Sequence, residues 1–301
     1  MDSTQVTVSS IIDSTSVANR AMKFKLSRGG TARRVRDKDA EAMIKAQLGD
    51  EGQIVSREFF SDSNNPVHKY QELSGRMYAY HVKETLPLDD SWRILMSAKI
   101  FDYTNEMQNY ISQLGQLADN IVANWSQLVQ DDINLRNAKL KNQSAKVSDY
   151  PSATQMRHRL YVVWTPGAIN PAGDFRFEVP QALKDRAELA FTNAIESANR
   201  DRYNRMLLPV TKFIEKLSKY TGEKGQKWHA SFIDNLNSLD KEVGSLNIVD
   251  DPVVDAFLQQ INSIVGPYAF APDALKEDQM ARDSVKAKLE ALESQLKGYV
   301  F

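Results

Sequence analysis

Apolar side chains recur every three to four residues along most of the chain, and this spacing is typical of one buried face of an α-helix. The longest stretch of this kind covers residues 98–140. Within it, apolar residues also fall seven positions apart, as they do in a coiled coil. The heptad positions are Met107, Leu114, Ile121, Leu128 and Leu135. The pattern predicts one long continuous helix that packs against a partner along its length.

The segment that follows Pro180 is the predicted partner of this helix. Small and apolar residues recur along it and allow two helices to approach closely. They begin with Leu183, Ala187, Ala190, Ala194 and Ala198. Pro209 is expected to kink this second helix, because proline removes a backbone donor and clashes with the preceding turn. We therefore expect a mainly α fold, elongated and built on antiparallel long helices.

Residues 159–180 interrupt the helical pattern and predict a small β-hairpin between the two long helices. Residues 160–164 form a continuous apolar run, whereas apolar and charged residues alternate over 175–179. The proline- and glycine-rich segment between them, which contains Ile169, predicts a turn that tolerates substitution. Three arginines surround the hairpin: Arg157, Arg159 and Arg176. Because a lone two-stranded ribbon is marginally stable in water, it must pack against helices or against a partner outside the chain.

The last part of the chain, residues 226–301, predicts a smaller C-terminal unit of amphipathic helices. The glycine- and lysine-rich stretch at 222–227 is the best candidate for a domain boundary. We therefore expect two domains. The first, 1–220, holds an N-terminal basic segment, the long helices and the hairpin at 159–180, and the second is the unit 226–301.

Composition and charge narrow the class of protein. The 301 residues carry a net charge of −1, so any charged partner has to be met by a local patch. The absence of cysteine excludes disulfides, thiolate nucleophiles and cysteine metal sites, and it fits a reducing compartment. No secretory signal and no membrane-length apolar run are recognisable. These features favour a cytoplasmic protein.

One local patch is strongly basic. Residues 20–38 contain eight lysines and arginines and a single acidic residue, Asp37. The candidate binding residues here are Lys23, Lys25, Arg28, Arg33, Arg34 and Arg36. The patch is open to two interpretations: an arm that binds nucleic-acid phosphates, or a solvated edge strand whose lysines prevent aggregation. Gly29 and Gly30 would form a turn or a flexible joint within it.

The chain shows no motif that commits it to a reaction. The glycines at 29–30 and those in 222–227 do not form a nucleotide-binding loop. No dinucleotide-binding fingerprint follows a predicted strand. The four histidines are far apart in sequence and form no metal-binding pair: His68, His81, His158 and His229. Pairs of adjacent aspartates occur at 89–90, 131–132 and 250–251. They are better explained as helix caps and solvated faces than as metal ligands. We therefore expect no catalytic centre, no metal and no cofactor, and a protein that is not an enzyme.

Three sequence blocks resemble a family of tailed-phage helical proteins. They are ETLPLDDSWRILM at 84–96, DYP at 149–151 and GDFRFEV at 173–179. The family has a T-L-P-x-D-D block before a long helix and a D-Y-P and a D-F-R-V element around a hairpin; this chain departs from it at Leu88 and Trp92. More distantly similar bacterial proteins are encoded beside MoxR-type ATPases. The resemblance implies a setting in an infected cell and no particular reaction.

The first of these blocks also has a physical interpretation. Pro87 ends the preceding helix, and Asp89, Asp90 or Ser91 can cap the element that follows. Arg93 is close enough in sequence to pair with those carboxylates. We interpret the block as a junction between two helices.

The function expected from the sequence is that of an accessory or adaptor protein. It would act through protein–protein contacts in the cytoplasm of the infected host, within a replication, remodelling or host-defence complex. An AAA+ ATPase or a host protein is the expected partner. The alternative is a DNA-binding protein that uses the N-terminal basic arm, and a homo-oligomer is left open.

Overall fold

The computed structural model describes residues 14–31, 34–49, 54–89, 91–139, 145–170, 178–222, 226, 228 and 231–300. Over these residues the protein is mainly α-helical and has a small four-stranded sheet, which confirms the predicted fold class at that level. The helices are α1 (Ser14–Arg20), α2 (Lys38–Leu48), α3 (Pro66–Glu84), α4 (Ile100–Ala123), α5 (Trp125–Lys139), α6 (Ala153–Arg159), α7 (Gln181–Lys219), α8 (Ser231–Asn237), α9 (Leu239–Val243), α10 (Pro252–Val265), α11 (Asp273–Glu277) and α12 (Gln279–Val300). The strands are β1 (Ala21–Arg28), β2 (Arg34–Arg36), β3 (Ser56–Glu58), β4 (Leu86–Pro87), β5 (Trp92–Met96) and β6 (Val162–Ala168).

The chain folds into two compact units. Unit 1 consists of Met1–Lys25, Val82–Phe101 and Thr165–Phe301, and unit 2 of Leu26–His81 and Asp102–Trp164. The boundary expected at 222–227 therefore falls inside unit 1. The physical reason is a shared core, because buried side chains of α7 and of α8 to α12 form one apolar cluster. Periodicity within each helix carries no information on which helices share a core.

Strands β4, β5, β1 and β6 form the larger sheet in that order. β1 is antiparallel to β5, with Ala21 opposite Met96, and β5 is antiparallel to β4. The alternation around Lys23 correctly predicts a strand, but the expected edge position is wrong, because β1 has a neighbour on each side. Lys23 is accommodated there since its Nζ lies 4.9 Å from the centroid of the Trp92 ring.

The first strand of the expected hairpin is present as β6, but it lies beside β1 in the sheet. It runs through Pro166 and Gly167, which were expected in the turn, and a proline is tolerated in a strand at the end of the sheet order. Ile169 is buried in an apolar cluster with Leu86 and Ile94, so the expectation that this position tolerates substitution is wrong. Residues 171–177, which hold most of the expected second strand, lie outside the described residues.

Helix α7 packs against α12 over most of the length of α12 in unit 1. The sequence pattern predicts residues 98–140 as the partner of α7, whereas within unit 1 the narrow apolar seam of α12 packs against α7. Five residues of α12 form the seam: Val285, Leu289, Leu292, Leu296 and Val300. Pro209 lies inside α7, which is assigned as one helix from Gln181 to Lys219.

The segment 98–140 forms two helices, α4 and α5, which meet at Asn124. The expected single helix is therefore interrupted once. Asn124 Nδ2 donates to the Asn120 carbonyl over 3.0 Å, and the Asn124 backbone N–H donates to the same oxygen over 3.1 Å. This competition of a side-chain amide with the backbone for one acceptor is a known local disturbance of helices.

Unit 2 has an aromatic core that includes the D-Y-P tyrosine. The Tyr150 ring contacts those of Phe59 and Phe60, at centroid distances of 5.0 and 5.6 Å. Tyr150 donates through its hydroxyl to Asp132 Oδ2 over 2.7 Å, and Arg136 donates to that hydroxyl over 3.1 Å. Burial, with the hydrogen bond to Asp132, raises the pKa of Tyr150. The tyrosine therefore serves as a packing anchor.

The block at 84–96 is a tight β-turn-β element rather than a junction between helices. Asp89 Oδ1 accepts from the backbone N–H groups of Ser91 and Trp92, both over 2.9 Å, which closes the turn between β4 and β5. Arg93 donates to the carbonyl oxygens of Val82 and Thr85 over 3.3 and 2.8 Å. It thereby satisfies carbonyl groups at the end of α3.

Among the described residues, no helix is both long enough and apolar enough to cross a membrane.

Candidate functional site

Seven of the nine basic residues singled out from the sequence lie in the described part of the chain, and they divide between the two units. Unit 1 holds Lys23 and Lys25; unit 2 holds Arg28, Arg34, Arg36, Arg157 and Arg159. Arg33 and Arg176 lie outside the described residues. The basic segment around 20–38 is thus shared by two compact units rather than forming one element.

Two of these arginines already have acidic partners. Arg36 Nε donates to both carboxylate oxygens of Glu41, over 2.8 and 2.9 Å, and this contact raises the pKa of Arg36 and lowers that of Glu41. Arg157 lies 3.8 Å from Asp119, and both side chains are mostly exposed, so that pair is weak. Arg36 is therefore partly neutralised as a candidate for phosphate binding.

Arg28 has a different environment. Its Nη1 donates to Ser74 Oγ over 3.1 Å, and its guanidinium lies 4.6 Å from the centroid of the Tyr78 ring. Within the described part of the chain Arg28 has no carboxylate partner. It borders a cavity of about 370 Å³, here called the glycine cavity, together with Gly29, Gly30 and Thr31 after β1 and with Tyr70, Gln71 and Ser74 of α3.

Gly29 is required by close packing at this cavity. A Cβ at this position would lie 2.1 Å from the Arg159 carbonyl oxygen and 2.5 Å from the Tyr161 ring, while the Gly29 N–H donates to the Tyr161 carbonyl over 2.8 Å. A Cβ at Gly30 would meet nothing within 4 Å. The two glycines thus have different roles: the first allows two backbones to meet, and the second leaves the cavity open.

Replacing Gly29 with alanine is expected to lower the free energy of unfolding by about 1–3 kcal/mol or more, because a backbone oxygen cannot give way as a flexible side chain can. Gly30→Ala is the matched control and should change stability by less than about 0.5 kcal/mol. Urea unfolding followed by circular dichroism measures both. Equal stability of the two variants would show that the β1 and β6 backbones do not meet at Gly29.

A second cavity, in unit 1, was not anticipated from the sequence. It has a volume of about 380 Å³ and lies where the end of α7 meets α8. We call it the tryptophan pocket. Its walls are Phe213, Tyr220, Trp228 and Phe232, and Lys216, Lys219 and Gln226 complete the lining. Phe213, Lys216 and Tyr220 are three and four residues apart, so the helical repeat of α7 places them on one face.

The aromatic walls contact one another in pairs. Tyr220 and Trp228 meet edge to face with centroids 5.1 Å apart, and Phe213 and Phe232 are stacked with centroids 6.2 Å apart. Such pairs contribute about 0.5–1.5 kcal/mol beyond the area they bury. Gln226 closes the end of α7, since its Oε1 accepts from the Thr221 N–H over 2.8 Å. The pocket is therefore built from mutually supporting side chains.

Trp228 brings an unsatisfied donor to this pocket. Its indole Nε1 is buried and has no hydrogen-bond partner among the described residues. A buried donor without an acceptor costs about 1–3 kcal/mol, so its retention in a native structure calls for an explanation. An oxygen acceptor from a bound ligand would remove this cost.

The edge of the tryptophan pocket is positively charged. Lys216 Nζ lies 5.6 Å from the centroid of the Phe232 ring and has no carboxylate partner in the described part of the chain. Lys219 Nζ is 3.7 Å from Glu215, and both side chains are well exposed, so this pair is weak. No acidic residue is among the described residues that line the pocket. The pocket thus offers an apolar interior, one N–H donor and cationic groups.

The sequence pattern predicts a boundary loop at 222–227 and amphipathic helices after it, and it does not indicate a pocket. The signal that it missed is the density of aromatic residues on both sides of this loop, with lysines between them: Phe213, Tyr220, Trp228 and Phe232. The pocket brings Trp228, which precedes α8, together with Phe213 of α7.

One of the four histidines, His81, takes part in a buried hydrogen-bond network and has a structural role. His81 is buried in unit 2, and its Nδ1 lies 2.5 Å from the Tyr103 hydroxyl. Trp164 Nε1 donates to the same hydroxyl over 3.2 Å. In the described part of the chain, no group of three or more His, Asp or Glu side chains is arranged to hold a metal ion.

Comparisons of the chain with protein families, with curated proteins and with solved structures gave no match. The geometry of the two cavities is therefore the basis for any functional assignment.

Proposed function

We propose that this protein is a non-enzymatic adaptor that binds an acidic and apolar segment of a partner protein in the tryptophan pocket. The observation that carries the proposal is the buried Nε1 of Trp228, which has no acceptor among the described residues. It lies in an aromatic pocket whose described lining holds two lysines and no acid.

Each part of the pocket fits one feature of such a segment. The rings of Phe213, Tyr220 and Phe232 would surround an aromatic or aliphatic side chain, and Trp228 Nε1 would donate to a carbonyl or carboxylate oxygen of the segment. Lys216 and Lys219 would lie close to an adjacent Asp or Glu. Aromatic residues in desolvated pockets dominate binding energy at protein interfaces, which favours this interpretation over a purely structural cavity.

The setting of this activity is also a proposal. The resemblance to tailed-phage proteins supports an infected host cell, and the gene neighbours of similar bacterial proteins support an AAA+ ATPase as one candidate for the partner, with a host protein as the other. The adaptor would then act in the cytoplasm within a replication, remodelling or host-defence complex.

The first step of the test is to select, from a random peptide display library, peptides that bind the full-length chain. Their affinities are then measured by fluorescence anisotropy. Selected peptides are expected to carry an aromatic or large aliphatic residue next to Asp or Glu. Trp228→Phe keeps a ring but removes the donor, and it should weaken these peptides by about 5- to 100-fold, as the loss of one hydrogen bond to a buried or charged acceptor does.

The stability of the same variant separates binding from structure. Because Trp228→Phe removes a donor that is unsatisfied in the free protein, the free energy of unfolding should stay the same or rise by up to about 1 kcal/mol. Lys216→Gln should weaken acidic peptides, and Lys288→Gln, an exposed lysine of α12 outside the pocket, is its control. Undiminished peptide affinity of Trp228→Phe would contradict the proposal.

The alternative function, DNA binding by the N-terminal basic arm, has less support. Arg36 is paired with Glu41, and the basic residues of the arm are divided between the two units, with Lys23 and Lys25 in unit 1. If the arm does bind DNA, the logarithm of affinity falls with the logarithm of salt concentration by about 0.9 for each phosphate neutralised on a duplex. Alanine at Arg33, Arg34 and Arg36 would flatten that slope without affecting the peptides.

A further inference from the structure

The glycine cavity of unit 2 has a composition distinct from that of an ordinary surface depression. Its described lining combines one guanidinium, three hydroxyl side chains, one amide side chain and two glycines, and it includes no carboxylate. At about 370 Å³ its volume falls within the range of small-molecule pockets, roughly 300–1,000 Å³. These features together call for an anionic ligand of modest size.

The positive charge in this cavity is that of the Arg28 guanidinium, which two neighbouring side chains hold in position. The hydrogen bond to Ser74 and the contact with the Tyr78 ring hold the Arg28 guanidinium from two directions. Neither neighbour carries a negative charge, so the positive charge is oriented without being neutralised. A guanidinium has five N–H donors, and Ser74 engages one of them through Nη1, which leaves others for a ligand.

Donors from two other elements border the same space. Gln71 Nε2 donates to both the carbonyl oxygen and the hydroxyl Oγ1 of Thr31, over 3.0 and 3.1 Å, which holds the Gly29–Thr31 segment against α3. Gly30 carries no side chain and has open space where a Cβ would lie, so the backbone there is accessible to a ligand. The cavity wall is therefore anchored and rich in groups that can donate.

Tyr70 forms a buried part of this wall and is 1% exposed. Burial raises the pKa of Tyr70, while the Arg28 charge acts in the opposite direction. A phenol is protonated at neutral pH, so the Tyr70 hydroxyl can donate a hydrogen bond. Tyr70 and Arg28 line the same cavity.

We propose that the glycine cavity binds a small phosphomonoester, with the phosphoryl group on the Arg28 guanidinium. Arginine recognises phosphate oxygens through parallel N–H donors, and backbone N–H groups at glycines are the usual complement. The volume leaves room for the organic part of the ligand as well as for the phosphoryl group. This site lies in unit 2 and is independent of the tryptophan pocket, which lies in unit 1.

Isothermal titration calorimetry of the full-length chain tests the proposal with four probes: inorganic phosphate, AMP, adenosine and a deoxythymidine decamer. AMP and phosphate are expected to compete with each other, and AMP to bind more tightly than adenosine. Arg28→Gln should weaken both phosphate-bearing probes by about 10- to 100-fold, the effect of losing a charge-assisted hydrogen bond. Arg76→Gln, at an exposed arginine of α3 that does not line the cavity, should change them less than about twofold.

A second measurement covers the case in which Arg28→Gln fails to fold. Saturating AMP should raise the thermal midpoint of the wild-type protein, because a ligand that binds only the native state stabilises it, and adenosine should not. Equal binding of adenosine and AMP, or no binding of either phosphate or AMP, would overturn the proposal. So would binding of the decamer alone, since that outcome assigns Arg28 to a nucleic-acid surface.

Discussion

Replacing Arg202 with alanine is expected to lower the free energy of unfolding by about 3–5 kcal/mol, the typical cost of removing one partner from a buried ion pair. Arg202 lies on α7 and is completely buried. Its Nη1 donates to Asn247 Oδ1 over 2.5 Å, and its Nη2 lies 3.4 Å from Asp251 Oδ2. Without Arg202, the Asp251 carboxylate loses its counter-charge in a place that water barely reaches.

Other hydrogen bonds of Asp251 add to the expected cost of losing Arg202. Asp251 also accepts a hydrogen bond from the Tyr203 hydroxyl over 2.5 Å and caps α10 by accepting from the Val253 N–H over 3.0 Å. Burial lowers the pKa of Arg202, and the nearby Asp251 carboxylate opposes that change. The loss of Arg202 therefore disturbs the start of α10 as well as α7.

Urea unfolding of Arg202→Ala and of Arg200→Ala provides the measurement and its control. Arg200 lies on the same helix but is exposed, so its removal should cost less than about 0.5 kcal/mol. Arg202→Met is expected to cost less than Arg202→Ala, because it fills the space with apolar volume. A loss below about 1 kcal/mol for Arg202→Ala would show that Asp251 does not rely on the arginine.

The elements that sequence predicted best are those whose signal is local. Apolar residues of α12 recur every three to four positions, and such spacing is what predicted amphipathic helices in residues 226–301. The lysines around Phe24 likewise indicated a strand, which is β1. Local patterns were sufficient here because the buried face of an element can be read from its own residues.

Pairings between distant elements could not be predicted in the same way. The small residues near the start of α7 fit many helical partners, and nothing in their spacing distinguishes α12 from residues 98–140. The strand β1 pairs with residues about seventy positions away along the chain, in β5. Burial of Ile169 depends on contacts of the same kind, with Leu86 and Ile94, so its position in a glycine-rich segment suggested the opposite.

At the candidate sites, too, local sequence patterns were informative and contacts between distant residues were not predictable. Arg28 was singled out from the charge of its segment, and it does border a cavity. The residues that orient it, Ser74 and Tyr78, are about fifty positions away, and no local pattern connects them to it. The tryptophan pocket was missed because its aromatic residues look like ordinary core positions of two helices until the turn between them is known.

At the heptad positions of α4 and α5, the structure and the sequence pattern predict different costs for truncating a side chain. The pattern treats Ile121 and Leu128 as equivalent, because they are seven residues apart on one stripe. In the structure Ile121 is fully buried on α4, whereas Leu128 lies on α5 beyond the interruption at Asn124 and is half-buried. Their truncations should therefore have unequal costs.

Ile121→Ala is expected to lower the free energy of unfolding by about 2–5 kcal/mol, because a fully buried side chain leaves a cavity. Leu128→Ala should cost roughly 1–2 kcal/mol, in proportion to the smaller apolar area that it buries. Gln127→Ala is the surface control at less than about 0.5 kcal/mol, since Gln127 is exposed and its Nε2 donates to Asp131 on the same helix. Urea unfolding followed at 222 nm ranks the three variants, and equal losses at Ile121 and Leu128 would favour an uninterrupted heptad stripe over two helices that meet at Asn124.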